Sequence, residues 1–235
     1  MLSIYRKELR SYFITPVGYV FTACFLAASG VLFSLCTLFR QESSSVTDYF
    51  SFLFLLFAVL IPLLTMKLLS EERKTKTEQL LMTSPVSVFS IIFGKYLAAL
   101  TVFGCSLLVN SLNFFLLYLY GSPNAKIILA NILAIFLVGA AFIAVGLFLS
   151  ALTENQVIAA VSSMIAIALM YISSYIAANI NSEFIRVIVK WFSISDRYNA
   201  FTNGLLDIGA IVYFISFAAV FIVLTVRIYE SRRWS

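Results

Sequence analysis

The sequence predicts an all-α membrane protein that crosses the bilayer six times, and three observations carry that prediction. Of 235 residues, 62% are hydrophobic and 11% charged, whereas a soluble domain is roughly half apolar and a quarter charged; mean hydropathy is +1.00. The apolar residues fall into six runs, about 17–39, 50–69, 90–120, 127–152, 157–178 and 208–228, and roughly 20 apolar residues span a bilayer as a helix. The runs are continuously apolar, whereas strands of a transmembrane barrel alternate polar with apolar over about ten residues. Six spans with short connections fill the length, so one transmembrane unit, 1–235, is expected with no room for a separate soluble domain.

Taken in order, residues 1–15 place Leu2, Tyr5, Leu9 and Tyr12 or Phe13 at helical spacing, with Arg6, Lys7 and Arg10 between them. That pattern predicts a helix lying in the membrane interface. The small-residue cleavage pattern of a signal peptide is lacking, so the segment is expected to be retained. Thr15-Pro16 marks the turn into the first span. The polar, serine-rich loop 40–48 and the Gly121-Ser122-Pro123-Asn124 turn are too short for a receptor domain. Residues 179–207 carry Ile185, Ile188, Val189 and Phe192 at helical spacing near Trp191 and Tyr198, which predicts an outer re-entrant or interfacial segment.

Orientation follows from the basic residues. With the N-terminus inside, the inner face holds Arg6, Lys7, Arg10, Lys67, Arg73, Lys74, Lys76, Lys95, Arg227, Arg232 and Arg233, and the outer face Arg40, Lys126, Arg186, Lys190 and Arg197. Eleven against five places both termini in the cytoplasm. The net charge of +5 sits beside apolar runs, where it sets topology and meets anionic lipid rather than nucleic acid.

Several chemistries lack their parts. Histidine is absent, Cys24, Cys36 and Cys105 lie in apolar runs without CxxC spacing, and the spans hold no paired carboxylates and no Gly-x-Ser-x-Gly elbow. No catalytic residue and no metal site is expected, and the chain is not read as an enzyme. Gly94-Lys95-Tyr96 lacks the upstream glycine and following Ser or Thr of a P-loop, so no nucleotide site is expected in this chain. The two halves show no repeat, which removes support for an inverted-repeat transporter. Asn110, Asn113 and Asn131 are polar at membrane depth and serve interhelical hydrogen bonding or line a substrate path. Gly204 and Asp207 cap the last span or form an outer gate. Lys67 and Lys95, near span ends, are expected to snorkel, and Glu154 to mark a tight turn.

The densest charged stretch runs Glu71-Glu72-Arg73-Lys74-Thr75-Lys76-Thr77-Glu78-Gln79-Leu80-Leu81-Met82-Thr83-Ser84-Pro85. Early acids, a late apolar patch and a Ser-Pro stop predict a short cytoplasmic helix over 70–85 that offers charge and an apolar knob to a partner. Together with Tyr12-Phe13, Pro16-Val17-Gly18-Tyr19-Val20, Pro62-Leu63-Leu64-Thr65-Met66, Gly94-Lys95, 150–156 and Tyr213-Phe214, this stretch resembles the ABC-2 type exporter permeases. The resemblance is to their small six-span branch, which includes the permease of the bacterial gliding-motility transporter.

The resemblance implies a type V exporter-like architecture with an N-terminal interfacial helix (Tyr5, Arg6, Lys7, Arg10) bracing a cytoplasmic coupling helix. In the coupling helix Glu71, Glu72, Arg73, Thr77, Glu78, Gln79, Leu80 and Leu81 would seat in a soluble ABC ATPase. Many relatives have Gly where this chain has Lys76. The resemblance further implies two ATPase copies that bind ATP and Mg, with no cofactor in this chain. It also implies a second permease subunit, identical or homologous, paired through the first and fifth spans, in the bacterial cytoplasmic membrane. The function expected is outward movement of a substrate driven by ATP hydrolysis. The alternatives are a non-transporting anchor for an ATPase in a larger machine and a self-contained channel or secondary transporter; the near absence of ionisable residues inside the spans weighs against the latter.

Overall fold

The computed structural model describes residues 2–38, 47–79, 86–115, 124–180, 182–202, 204 and 206–233, and all regular structure among them is helical. Helix α1 (Leu2–Ile14) ends at Thr15, and α2 (Pro16–Phe33) begins with proline at its first position. Proline fits there because the missing N–H has no intrahelical partner and φ is already helical. The chain folds back sharply at this joint. A Cβ on Gly18 would lie 2.5 Å from the Tyr12 carbonyl oxygen, so only glycine lets α1 lie against the start of α2. A π-helical turn, Ser34–Leu38, follows α2.

Helix α3 (Thr47–Thr65) is the second span, and a turn at 66–69 separates it from α4 (Ser70–Lys74). Helix α5 (Val88–Asn110) starts at Ser87, whose hydroxyl accepts the Ser90 N–H. Asn124 and Asn155 cap α6 (Ala125–Leu152) and α7 (Gln156–Ala178) in the same way, accepting the Lys126 and Val157 N–H groups at 3.1 and 2.9 Å. Such caps satisfy donors that a helix start leaves free. Two short helices, α8 (Glu183–Trp191) and α9 (Ile194–Thr202), precede α10 (Ile208–Arg233).

Among the described residues six helices are long and apolar enough to cross a membrane: α2, α3, α5, α6, α7 and α10. Helix α6 is the axis of the bundle, packed against α3, α5, α7, α9 and α10. Its sequence explains why. Ala134, Gly139, Ala141, Ala144, Gly146 and Ser150 are small and buried, which lets neighbouring backbones approach closely. A Cβ on Gly146 would collide with Thr65 of α3, coming within 2.9 Å of its Cβ. Helices α2 and α7 are the least buried spans; Val157, Val161, Ile165, Leu169 and Ile172 form an exposed aliphatic stripe along α7. An apolar stripe of this kind faces lipid or another span, since no water reaches that depth.

Candidate functional site

The charged elements gather at one end of the bundle, and the backbone of 66–79 is the reason. Where α3 stops, its last carbonyls lose their partners four residues on. The Leu68 N–H bonds to Thr65 O at 3.1 Å instead, leaving Leu64 O free. The Tyr12 hydroxyl of α1 donates to that oxygen at 3.1 Å. Burial, and then the Glu8 carboxylate, push this hydroxyl above the usual tyrosine range, so it remains a protonated donor. On the other side Ser150 of α6 donates to Met66 O at 3.2 Å and accepts the Leu69 and Ser70 N–H groups at 3.2 and 3.1 Å. Leu69, at the N-cap of α4, has no polar side chain, so Ser150 caps α4 from a different helix.

Side chains then tie this segment to its surroundings. Lys95, two turns inside α5, is 1% exposed; its Nζ donates to Glu72 Oε1 at 2.7 Å and to Glu8 Oε1 at 3.0 Å. One buried ammonium thus joins α1, α4 and the third span. The next residue of α4, Arg73, reaches the α6–α7 turn, with Nε 2.9 Å from Glu154 Oε1 and Nη1 donating to Leu152 O at 3.0 Å. Glu78, 8% exposed, lies 3.7 Å from Arg232 at the end of α10, and Arg232 donates to Ala151 O at 2.8 Å. A cavity of about 170 Å³ opens beside the Lys95 cluster, lined by Lys7, Ser11, Tyr12, Thr15, Lys67 and Glu71 among others.

These contacts redistribute the residues singled out from sequence. Glu72, Arg73 and Glu78 point into the chain rather than outward, while Glu71, Lys74, Thr75, Lys76 and Thr77 form the exposed face. Gln79 is exposed as well. The helix expected over 70–85 is interrupted in the structure: α4 ends at Lys74, Lys76 takes φ 59°, and helical backbone resumes at Glu78. That left-handed conformation cannot continue a right-handed helix, and it is the one glycine adopts without strain. Thr75 and Thr77 stabilise the turn, their hydroxyls lying 3.0 Å apart, with Thr75 donating back to Glu71 O at 2.9 Å. Leu80 and Leu81, and the rest of 80–85, lie outside the described residues. In α1 Arg6, Lys7 and Arg10 are exposed and Tyr5 is half-buried against the core.

Lys95 also departs from the expectation that it would snorkel: two carboxylates neutralise it inside the bundle instead. Glu8, Tyr12, Ser150 and Arg232 carry no local sign of a site in the sequence, and Glu154 reads there only as a tight turn. The one available signal was Lys95 itself, because a cation inside a span needs a counter-charge.

The remaining polar residues engage one another. Asn110 donates to the Tyr49 hydroxyl at 2.8 Å, and Asn113 donates to Asn110 Oδ1 at 3.0 Å. Asn131 donates to Ile127 O at 2.8 Å and to Phe201 O at 3.3 Å, and accepts the Tyr198 hydroxyl at 3.1 Å, fixing α9 against α6. Burial raises the Tyr198 pKa, so that hydroxyl too stays a donor. Asp207 caps α10, its Oδ1 accepting the Gly209 N–H at 2.8 Å, and Gly204 sits at φ +75° beside Ile127.

A model of the ABC-2 family transporter proteins matches residues 31–228. The chain belongs to the ABC-2 family. As an ABC-2 family member it is a multi-pass membrane protein and a permease subunit of an ABC transporter, the membrane subunit rather than the ATPase. The match begins at the last residues of α2 and takes in the other five spans into α10, and α1 with Glu8 lies ahead of it. No curated protein matches the chain.

Proposed function

We propose that this ABC-2 permease is one of a pair of membrane subunits in an ATP-driven exporter and that segment 70–79 is where the ATPase acts. The observation that carries the reading is the division of that segment's side chains. Glu72, Arg73 and Glu78 grip α5, the α6–α7 turn and α10, while Glu71, Lys74, Lys76 and Thr77 are left on an outward face. A load applied to the outward face reaches four spans: α3 through the backbone, and the others through those three contacts. Exposed charges on a short rigid element give register and orientation to a partner.

The excess of Lys and Arg at this end supports a cytoplasmic placement, with both termini inside. Each of two soluble ATPase subunits would bind ATP and Mg, and their closure would move the 70–79 segments. The thinly buried α2 and α7 are the spans through which two permeases, identical or homologous, would pair. A cavity of about 320 Å³ between α3, α7 and α9, lined by Ser51, Phe54, Tyr171, Ser174, Tyr175, Ser195 and Tyr198, combines hydroxyls with aromatic rings. Such a lining suits amphipathic or lipid-like cargo moving outward.

The test is purification from native membranes, identification of the accompanying ATPase, and reversal of the exposed cations. Lys74→Glu with Lys76→Glu should reduce ATPase recovery at least tenfold at low salt without changing thermal stability. Full recovery with the double variant would remove 70–79 as the docking element. A tightly bound ATPase whose hydrolysis moves nothing across reconstituted vesicles would instead identify an anchor.

A further inference from the structure

The Lys95 cluster carries an inference that rests on the proposed coupling but is built from different residues. Three elements far apart in sequence meet at one ammonium: Glu8 on α1, Glu72 on α4 and Lys95 on α5. Lys95 is 1% exposed, and the Glu8 and Glu72 side chains are 12% and 15% exposed. Lys7 approaches Glu8 only at 3.9 Å and is 64% exposed, so solvent screens its share. Desolvation makes such a cluster costly to assemble and costlier still to break by removing one member, which strands the opposite charges. Helix α1 makes further contacts beside this cluster. Tyr12 of α1 holds the end of α3 through Leu64 O, and α1 lies so close to α5 that a Cβ on Gly94 would be 3.5 Å from the Ile4 Cβ.

We propose that Lys95 is a positioning residue that makes α1, the 70–79 segment and the third span one moving body. Lys95 does not reach the outward face, so it does not touch the ATPase; it sets where the touched surface sits relative to the membrane. On this reading the interfacial helix is a lever locked to the third span, and a displacement of 70–79 carries α1 with it. Arg73 and Arg232 grip the opposite flank, so the Lys95 joint decides how much of the load goes to the N-terminal half of the bundle.

The separation of Ile4 and Gly94 supplies the test, since 3.5 Å between Cβ atoms lies within the range of a disulfide. In the full-length chain with Cys24, Cys36 and Cys105 replaced by Ala, Lys95→Met removes the charge and Ile4→Cys with Gly94→Cys allows α1 to be tethered to α5. In the permease alone, in lipid nanodiscs, Lys95→Met should speed amide exchange across 2–14 and 70–79 by about tenfold or more while leaving α6 unchanged. Oxidising the cysteine pair in that variant should restore protection in 2–14. In the complex with its ATPase, Lys95→Met should lower permease-dependent ATP turnover at unchanged ATPase affinity, and the disulfide should recover it.

With Lys95 intact, the same disulfide should leave turnover unaltered, because bodies that move together are not hindered by a tether. Inhibition by the tether in that background would overturn the proposal, as would unchanged exchange in Lys95→Met. Should no ATPase accompany the wild-type chain, the proposed function falls, while the exchange measurements still decide whether Lys95 joins the three elements.

Discussion

Replacing Ser150 by alanine removes one oxygen and, with it, the support of an entire segment. Ser150 Oγ is the acceptor for the Leu69 and Ser70 N–H groups and a donor to Met66 O. Ser150, Leu69 and Ser70 are each fully buried, so water cannot step in at the two stranded donors. An unsatisfied buried donor costs about 1–3 kcal/mol. Two of them, less whatever the backbone relaxes, give about 3 kcal/mol. For a chain of this size each kcal/mol moves the midpoint of thermal unfolding by roughly 2–4 °C, so Ser150→Ala should unfold about 6–12 °C lower. The assay is thermal unfolding of the purified protein in detergent, paired with amide exchange at Leu69 and Ser70. Exchange there should accelerate far more than in α5, because the loss is local. A midpoint within about 2 °C of wild type, with protection at 69–70 intact, would refute the reasoning and show that 66–70 is held by its other contacts alone.

Three further outcomes are expected. Lys76→Gly should raise stability by about 0.5–1 kcal/mol, since glycine takes positive φ without strain, and Lys76→Val should lower it; thermal unfolding of the pair gives the sign. Asn131→Leu should cost about 2–3 kcal/mol and loosen 194–202, because the Phe201 carbonyl and the Tyr198 hydroxyl both lose their partner; exchange in α9 reads it. Glu78→Gln should weaken the contact with Arg232 and lower stability while leaving ATPase affinity within about twofold, the reverse of what the exposed cations do; binding of the ATPase to immobilised permease distinguishes the two classes.

The six spans and α1 were legible because each is a local property of sequence: a long apolar run, or apolar residues at helical spacing broken by Pro16. The Asp207 cap was legible in kind for the same reason. The direction in which a charge points was not. Glu72, Arg73 and Glu78 stand in a run with Lys74 and Lys76 and share their solubility, yet their partners lie at Lys95, Glu154 and Arg232. No periodicity links residues on different helices that lie 23 or more positions apart. Glu8 shows the limit most clearly, since it is an acid among three basic residues and its partner is 87 positions away. The break after Lys74 was hidden for a different reason: lysine is a good helix former, and its left-handed conformation here is imposed by the hydroxyl contacts of Thr75 and Thr77 and by the pull of Glu78 toward α10.

The axial place of α6 fixes an order of assembly. Synthesised fourth among the spans, it enters the bilayer beside α3 and α5, but the side that α10 will cover stays against lipid while α7, α8 and α9 are made. On that side Phe148 waits for Phe221 of α10, whose ring it meets edge to face at 5.5 Å. Arg232 closes the sequence by donating to Ala151 O at the end of α6. A chain arrested before Ile208 would therefore hold five inserted helices with an open seam at the centre, and the arrival of the last span converts a loose sheaf into a bundle able to bear force.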